Sequence, residues 1–222
     1  MERLENITPK RARQQQKELA QKLDITGRPQ SIRVVAGIDV AYHKKPPTGF
    51  AAVSLLSYPD MTPIKTYTEL DIIGYPYIPG LLGYREGDLI LSAIEKVEEE
   101  VDVFLFDGNG IAHPRRLGIA SHIGLLIDKP TIGIGKSQLL GQYKDPGSGR
   151  GSVSDWTDQG ETIGTVLRTQ DDTNPIFVSP GHKIGIKEAS DITLKCTKEY
   201  RIPEPIRMAH QEAEKYKDEG DI

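Results

Sequence analysis

Apolar and polar residues alternate along Ile32–Tyr42. Val34, Ala36, Ile38 and Val40 fall on one side, and Val35, Gly37 and Asp39 on the other, which predicts a strand. Two more β runs, Thr48–Tyr58 and Ile64–Ile72, follow across short turns, and three sequential strands predict an antiparallel meander. The period then becomes helical: Leu89, Ile90, Ala93, Ile94 and Val97 form one stripe over Asp88–Glu99. Val101, Val103, Phe104, Leu105 and Phe106 predict a short strand buried on both faces. A strand, helix and buried strand in that order predict a parallel crossover. Leu117–Ile127 predicts an apolar helix and Pro130–Gly135 another short buried strand, so the order is β-β-β-α-β-α-β. That is an α/β fold with a mixed β-sheet, three antiparallel strands then parallel strands, flanked by helices.

The flanks are less regular. Thr8 and Pro9 suit the cap and first position of a helix over residues 8–24, whose thin stripe of Ala12, Leu19 and Leu23 predicts a helix laid on the surface. Asp24–Gln30 reads as a linker. Leu139–Ser154 contains the glycine-rich basic loop KDPGSGRGS, and Glu161–Thr169 with Ile176–Val178 predicts a β pair. Ile186–Tyr200 predicts a helix with Ala189, Thr193, Cys196 and Tyr200 in line. Pro203–Tyr216 predicts the last helix, with Ile206, His210 and Ala213 on one face, so that His210 faces inward. The end of the chain, 213–222, reads as a polar tail.

Size and charge narrow the function. The 222 residues suit one domain spanning 1–222, with residues 1–30 as its N-terminal helix and linker. A net charge of −4 argues against coating nucleic acid by bulk charge, though not against a local basic face. The apolar runs are too short to span a membrane, and the N-terminus lacks the apolar core of a signal peptide. Cys196 is the only cysteine, so no intrachain disulfide can form and a reducing cytoplasm fits.

The candidate chemistry centres on Val101–Arg116. Its buried strand ends in Asp107-Gly108-Asn109-Gly110, with His113, Arg115 and Arg116 following. A carboxylate at the C-terminal end of such a strand lies where open α/β sheets hold their ligands. Two nucleotide-binding patterns fail: Gly133–Ser137 (GIGKS) would need glycine where Pro130 stands, and His113 falls where a dinucleotide fingerprint needs its third glycine. No nucleotide cofactor is therefore expected. Three carboxylates stand out: Asp39 inside a strand, Glu86 in the glycine loop Gly74–Gly87, and Asp107. Asp39 alone could serve a structural ion pair, and His210 a satisfied core position. Gathered together, the carboxylates would resist ionisation unless a hard divalent cation, Mg²⁺ or Mn²⁺, offset them. Such ions activate water for phosphodiester hydrolysis, and Lys136 would add charge at the phosphate. Pro76-Tyr77-Ile78-Pro79 is a stiff apolar finger of the kind that unstacks bases; the bland reading is a loop packed on the core through its tyrosine.

Seven blocks together resemble endonuclease V, the deoxyinosine-specific nuclease family: DVAY at 39–42, PYIPG at 76–80, YREG at 84–87, DGNGIAHPRRLGIASHIG at 107–124, KPTIGIGKS at 129–137, VSPGHKI at 178–184 and RIPEPIRMAH at 201–210. The resemblance implies a ribonuclease H-like fold. It implies that Asp39, Glu86, Asp107 and His210 bind metal and that Lys136 completes the catalytic set. It implies a strand-separating wedge at Pro76, Tyr77, Ile78 and Pro79, and a base pocket at Gly80, Leu82, Gly108, Gly110, Gly118 and Leu139, with His113 near the site. Asn109 departs from the glutamine or histidine common there, which predicts tuning of the site. The implied reaction is Mg²⁺-assisted water attack at the second phosphodiester bond 3′ to deoxyinosine in DNA, leaving 3′-hydroxyl and 5′-phosphate ends. Inosine-containing RNA is an alternative substrate. The same residues would also suit a ribonuclease H-like nuclease that cuts mismatches or flaps, or a lesion-binding protein without catalysis. A cytoplasmic monomer with no membrane partner is expected.

Overall fold

The computed structural model describes Leu4 and residues 7–219; the end of the polar tail, from 220 on, lies outside them. Thr8 Oγ1 accepts from the Arg11 amide at 3.4 Å and opens α1 (Pro9–Ala20), with Pro9 in its first turn. Of the expected stripe only Ala12 is fully buried, and its partner in burial is Gln16. The meander forms as β1 (Val34–Lys44), β2 (Pro47–Ser57) and β3 (Pro63–Ile72), antiparallel throughout. After α2 (Leu82–Glu95), β4 (Val103–Asp107) returns parallel to β1. After α3 (Ile119–Ile127), β5 (Thr131–Gly135) lies parallel to β4. The chain continues through β6 (Gln142–Tyr143), β7 (Val153–Asp158), β8 (Glu161–Leu167) and β9 (Ile176–His182), then α4 (Ile186–Lys195) and α5 (Glu204–Glu219). All described strands join one mixed sheet in the order β3-β2-β1-β4-β5-β9-β8-β7-β6. Among the described residues no helix is long and apolar enough to cross a membrane.

The alternation along β1 sorts its side chains onto two cores. Ala36 and Ile38 pack with Phe104 and Phe106 against Leu89 and Ile90 of α2 and Ile123 of α3. Val35 packs with Val103, Leu105 and Ile134 against Ile192 of α4 and Ile206 of α5. Each such large apolar side chain contributes about 1.5–3 kcal/mol by leaving water. On this second face α5 lies directly on the strand, because Gly37 has no side chain: a Cβ there would stand 2.0 Å from the Pro205 carbonyl.

The structure departs from the sequence-based expectation in α2, in β6 and β7, and in α4. α2 begins at Leu82, so Glu86 is helical and not part of a loop ahead of the helix. Gly83 and Gly87 make that stretch look like a loop, but Gly83 is there for packing: a Cβ on it would meet His122 Nδ1 at 2.7 Å. β6 lies within the expected loop over Leu139–Ser154, and β7 replaces its end. The only buried residue of β7 is Trp156, whose Nε1 donates to the Leu140 carbonyl at 2.7 Å, so its alternation is too faint to read. α4 stops at Lys195 and leaves Tyr200 exposed, because the Arg150 guanidinium takes the Leu194 and Thr197 carbonyls at the helix end.

Candidate active site

Parallel pairing of β1 with β4 sets the first two carboxylates. Ile38 stands opposite Phe106, so the next residues, Asp39 and Asp107, lie level on adjacent strands. Each shares a strand face with the residues packed under α4 and α5, so both carboxylates emerge on that face. From α5 His210 meets Asp39, with Nδ1 2.6 Å from Oδ2. Two residues beyond the Asp107–Ile134 pair, Lys136 leaves the end of β5 and its Nζ donates to Asp107 Oδ2 at 2.5 Å. Arg201 holds that strand end by donating to the Lys136 carbonyl at 2.8 Å. Glu86 arrives from α2, buried, and accepts a hydrogen bond from the Tyr42 hydroxyl.

The electrostatics tie the three carboxylates into one group. Burial first, and then the charge of Asp107, raise Asp39 above the usual carboxylate range against the opposing pull of His210. Burial pushes Glu86 up to about 8; Asp39 and Asp107 add to the rise, while Tyr42 and Arg85 oppose it. Buried or partly buried carboxylates that raise one another's pKa in this way are ionised together only when a cation offsets them. The donors are hard carboxylate oxygens and one imidazole, which suits Mg²⁺ or Mn²⁺. Among the described residues no three His, Cys, Asp or Glu side chains close to metal-holding distance. Each carboxylate is turned instead to its own donor, His210, Lys136 or Tyr42.

Beside this edge opens a cavity of about 150 Å³. Gly80, Leu82, Gly108, Gly118 and Leu139 line it, as do Tyr77, Ile78, Gln16, Asn109 and His113. A cavity of about this volume admits one benzene-sized ring. Gly110 is absent from the wall. It lies beneath, its amide donating to Ser179 Oγ at 2.8 Å, and a Cβ there would stand 2.0 Å from the Pro180 carbonyl, so this glycine serves close packing of the loop on β9. Tyr77 is 71 % exposed, whereas Tyr75 is buried among Ala12, Leu81 and Tyr84. The finger is thus anchored by one tyrosine and tipped by another.

His210 is half exposed rather than inward, at the rim where α5 passes Asp39; Ile206 and Ala213 on the same helix are buried. Gln16, Tyr42 and Arg201 escape sequence reasoning. Gln16 reads as part of the polar face of its helix, and Tyr42 and Arg201 are marked only by lying within the blocks DVAY and RIPEPIRMAH.

Two buried histidines predict an acid sensitivity. His113 and His122 are each held down to about 4, chiefly by burial, with Arg115 and Arg116 adding at His113. Unfolded histidine titrates near 6.5, so the folded state binds fewer protons between these values. The stability this contributes is complete above pH 6.5 and is lost as pH falls through 4, on the order of 3 kcal/mol for each histidine. His122→Phe is expected to lose less stability than the unaltered chain between pH 7 and pH 4.5 in urea unfolding. An identical pH dependence would count against this assignment.

Known proteins resemble this chain over most of its length. The Endonuclease V family model matches residues 17–211. Endonuclease V of Dehalococcoides mccartyi is 47% identical over 205 residues, 92% of each chain. The crystal structure of Endonuclease V from Streptomyces avermitilis superposes with a TM-score of 0.92 at 36% identity, covering 97% of this chain and 95% of that one. Endonuclease V of Ciona intestinalis, in complex with a 24mer DNA containing an inosine followed by a ribo-adenosine, superposes with a TM-score of 0.81 at 29% identity, covering 94% and 97%.

Proposed function

The chain belongs to the endonuclease V family, and from that premise we propose that it repairs DNA by recognising deaminated adenine. It takes deoxyinosine into the cavity and hydrolyses the second phosphodiester bond 3′ to the lesion, leaving 3′-hydroxyl and 5′-phosphate ends. Membership itself makes it a nuclease, a hydrolase of DNA phosphodiester bonds with the ribonuclease H-like fold. The observation that carries the finer reading is the continuity of the two halves of the site. Asp107 ends β4 at the carboxylate edge, and the next two residues, Gly108 and Asn109, line the cavity. A base held there would have its sugar–phosphate chain beside the strand end that carries Asp107.

Asp39, Glu86, Asp107 and His210 would hold the metal. When bound, a divalent cation of the Mg²⁺ or Mn²⁺ type would supply water activation and offset charge on the phosphate. Lys136 leaves Asp107 for the scissile phosphate and neutralises its developing charge. Pro76 and Pro79 stiffen the finger, Ile78 lines the cavity mouth, and Tyr77 enters the duplex and stacks on the pair left behind when the lesion base flips. The cavity, bounded by Gly80, Leu82, Gly108, Gly118 and Leu139, receives that base with His113 at its side. The enzyme acts as a monomer. A second substrate, inosine-containing RNA, is favoured by the ribo-adenosine that follows inosine in the Ciona complex.

Nicking of a labelled inosine duplex with Mg²⁺, with and without EDTA, tests the reading, with inosine RNA and a flap substrate alongside. The expected product is a single nick one nucleotide beyond the lesion's own 3′ bond, lost in EDTA. Equal cutting of the flap, or no metal dependence, would overturn it.

A further inference from the structure

Gly80 closes the finger, and its carbonyl accepts from three side chains. Gln16 Nε2 donates at 2.9 Å, Arg115 Nη2 at 2.8 Å and His113 Nε2 at 3.1 Å. The histidine's tautomer follows from its surroundings: Nδ1 accepts from the Arg115 amide at 3.2 Å, which leaves the proton on Nε2. Gly80 has φ +79°, and a Cβ on it would stand 2.6 Å from Arg115 Nη2. The carbonyl is therefore held in one orientation by groups that leave no room for a side chain.

Gln16 is the unexpected member. It is 2 % exposed, on a helix whose other polar residues are exposed except for the half-buried Gln15. Its amide is used at both ends: Nε2 also donates to the Leu117 carbonyl at 3.1 Å, and Oε1 accepts from Arg115 Nε at 2.5 Å. Burying an amide is tolerated when its donors and acceptor are matched, as here. One side chain from α1 thus ties the end of the finger, at Gly80, to the cavity wall at Leu117–Gly118. These segments are 64 and 101 residues away along the chain.

We propose that Gln16, with Arg115, is a positioning residue that sets the angle of the finger over the base cavity, so that α1 holds the wedge in register with the pocket. This rests on the reading of Pro76–Pro79 as a wedge. Gln16 does not touch the reacting phosphate; it acts through the Gly80 carbonyl. An aligned wedge matters where two strands must be parted and matters little on a single strand. The chemistry downstream is common to both.

The test uses Gln16→Met, of similar length but unable to hydrogen-bond, and Arg115→Met, on a partly exposed residue less prone to unfold the chain. Each is assayed on an inosine duplex and on the same inosine strand alone. The expected result is that kcat/KM falls about ten-fold further on the duplex than on the single strand, the size of one or two lost hydrogen bonds. The extra loss should lie in KM. A loss of general stability alone would lower both substrates together, and a duplex-to-single-strand ratio within about two-fold of the unaltered protein would overturn the proposal. Hydrogen exchange over residues 76–82 reads the same clamp without chemistry. Exchange about ten-fold faster in both variants supports it, and unchanged exchange overturns it. If the unaltered protein cuts neither substrate, the proposed function fails, while the exchange result still decides the clamp.

Discussion

Asp107→Ala is expected to abolish nicking of inosine DNA in Mg²⁺, a loss on the order of 10³-fold or more. Several kcal/mol of transition-state stabilisation come from a bound divalent cation, and each 1.36 kcal/mol is a decade in rate. Asp107 is well placed to govern that ion. It ends β4 level with Asp39 on β1, and its charge is one cause of the raised pKa values of both Asp39 and Glu86. Removing it takes away an oxygen donor and leaves Lys136 without its 2.5 Å partner. The fold should survive, because Asp107 is partly exposed at a strand end and its strand's apolar residues are untouched. Single-turnover nicking with a parallel thermal melt checks both halves. Activity within about ten-fold of the unaltered protein, at saturating Mg²⁺, would remove Asp107 from the metal site. Asp39→Ala is expected to behave alike, with His210 left unpaired.

Tyr77→Ala is expected to weaken binding to an inosine duplex by roughly 10- to 100-fold, because stacking an aromatic ring on a base is worth about 1–3 kcal/mol. Tyr77 is 71 % exposed and supports no core, so truncation should leave stability nearly unchanged. The finger keeps its anchor in Tyr75 and its clamp at Gly80. Once substrate is bound, the carboxylate edge is intact, so the rate at saturation should fall much less than affinity. Titration of a labelled duplex in Ca²⁺, with single-turnover rates in Mg²⁺, separates the two. Unchanged affinity together with a large loss of rate would make Tyr77 part of the chemistry and refute its role as a wedge.

Local periodicity carried much of the fold. Val34–Val40 sort onto two cores as their alternation requires, because side chains of a strand leave on opposite faces whatever the strand's neighbours are. The crossover to β4 was legible because Val103–Phe106 is apolar on both faces, as a central parallel strand must be. Periodicity is misleading at α2 and faint at β7. Gly83 and Gly87 disguise the first turns of α2, although Gly83 is a contact with His122. β7 shows only Trp156 to the core, and the pairing that makes it a strand is with β8 and β6.

By itself the sequence determined most of the strands and helices, the face on which Asp39 sits, the strand end that carries Asp107, and the motifs that mark the family. These depend on residues a few positions apart. Only the tertiary structure decided that Asp39 and Asp107 stand level, that Glu86 is brought to them on a helix, that His210 lies at a half-exposed rim, and that Gln16 reaches the base of the finger. Register between β1 and β4, and burial of an amide from α1 against Gly80 and Leu117, are set by packing among distant segments. No local pattern encodes them, because the partners that repay a buried polar group arrive only with the fold.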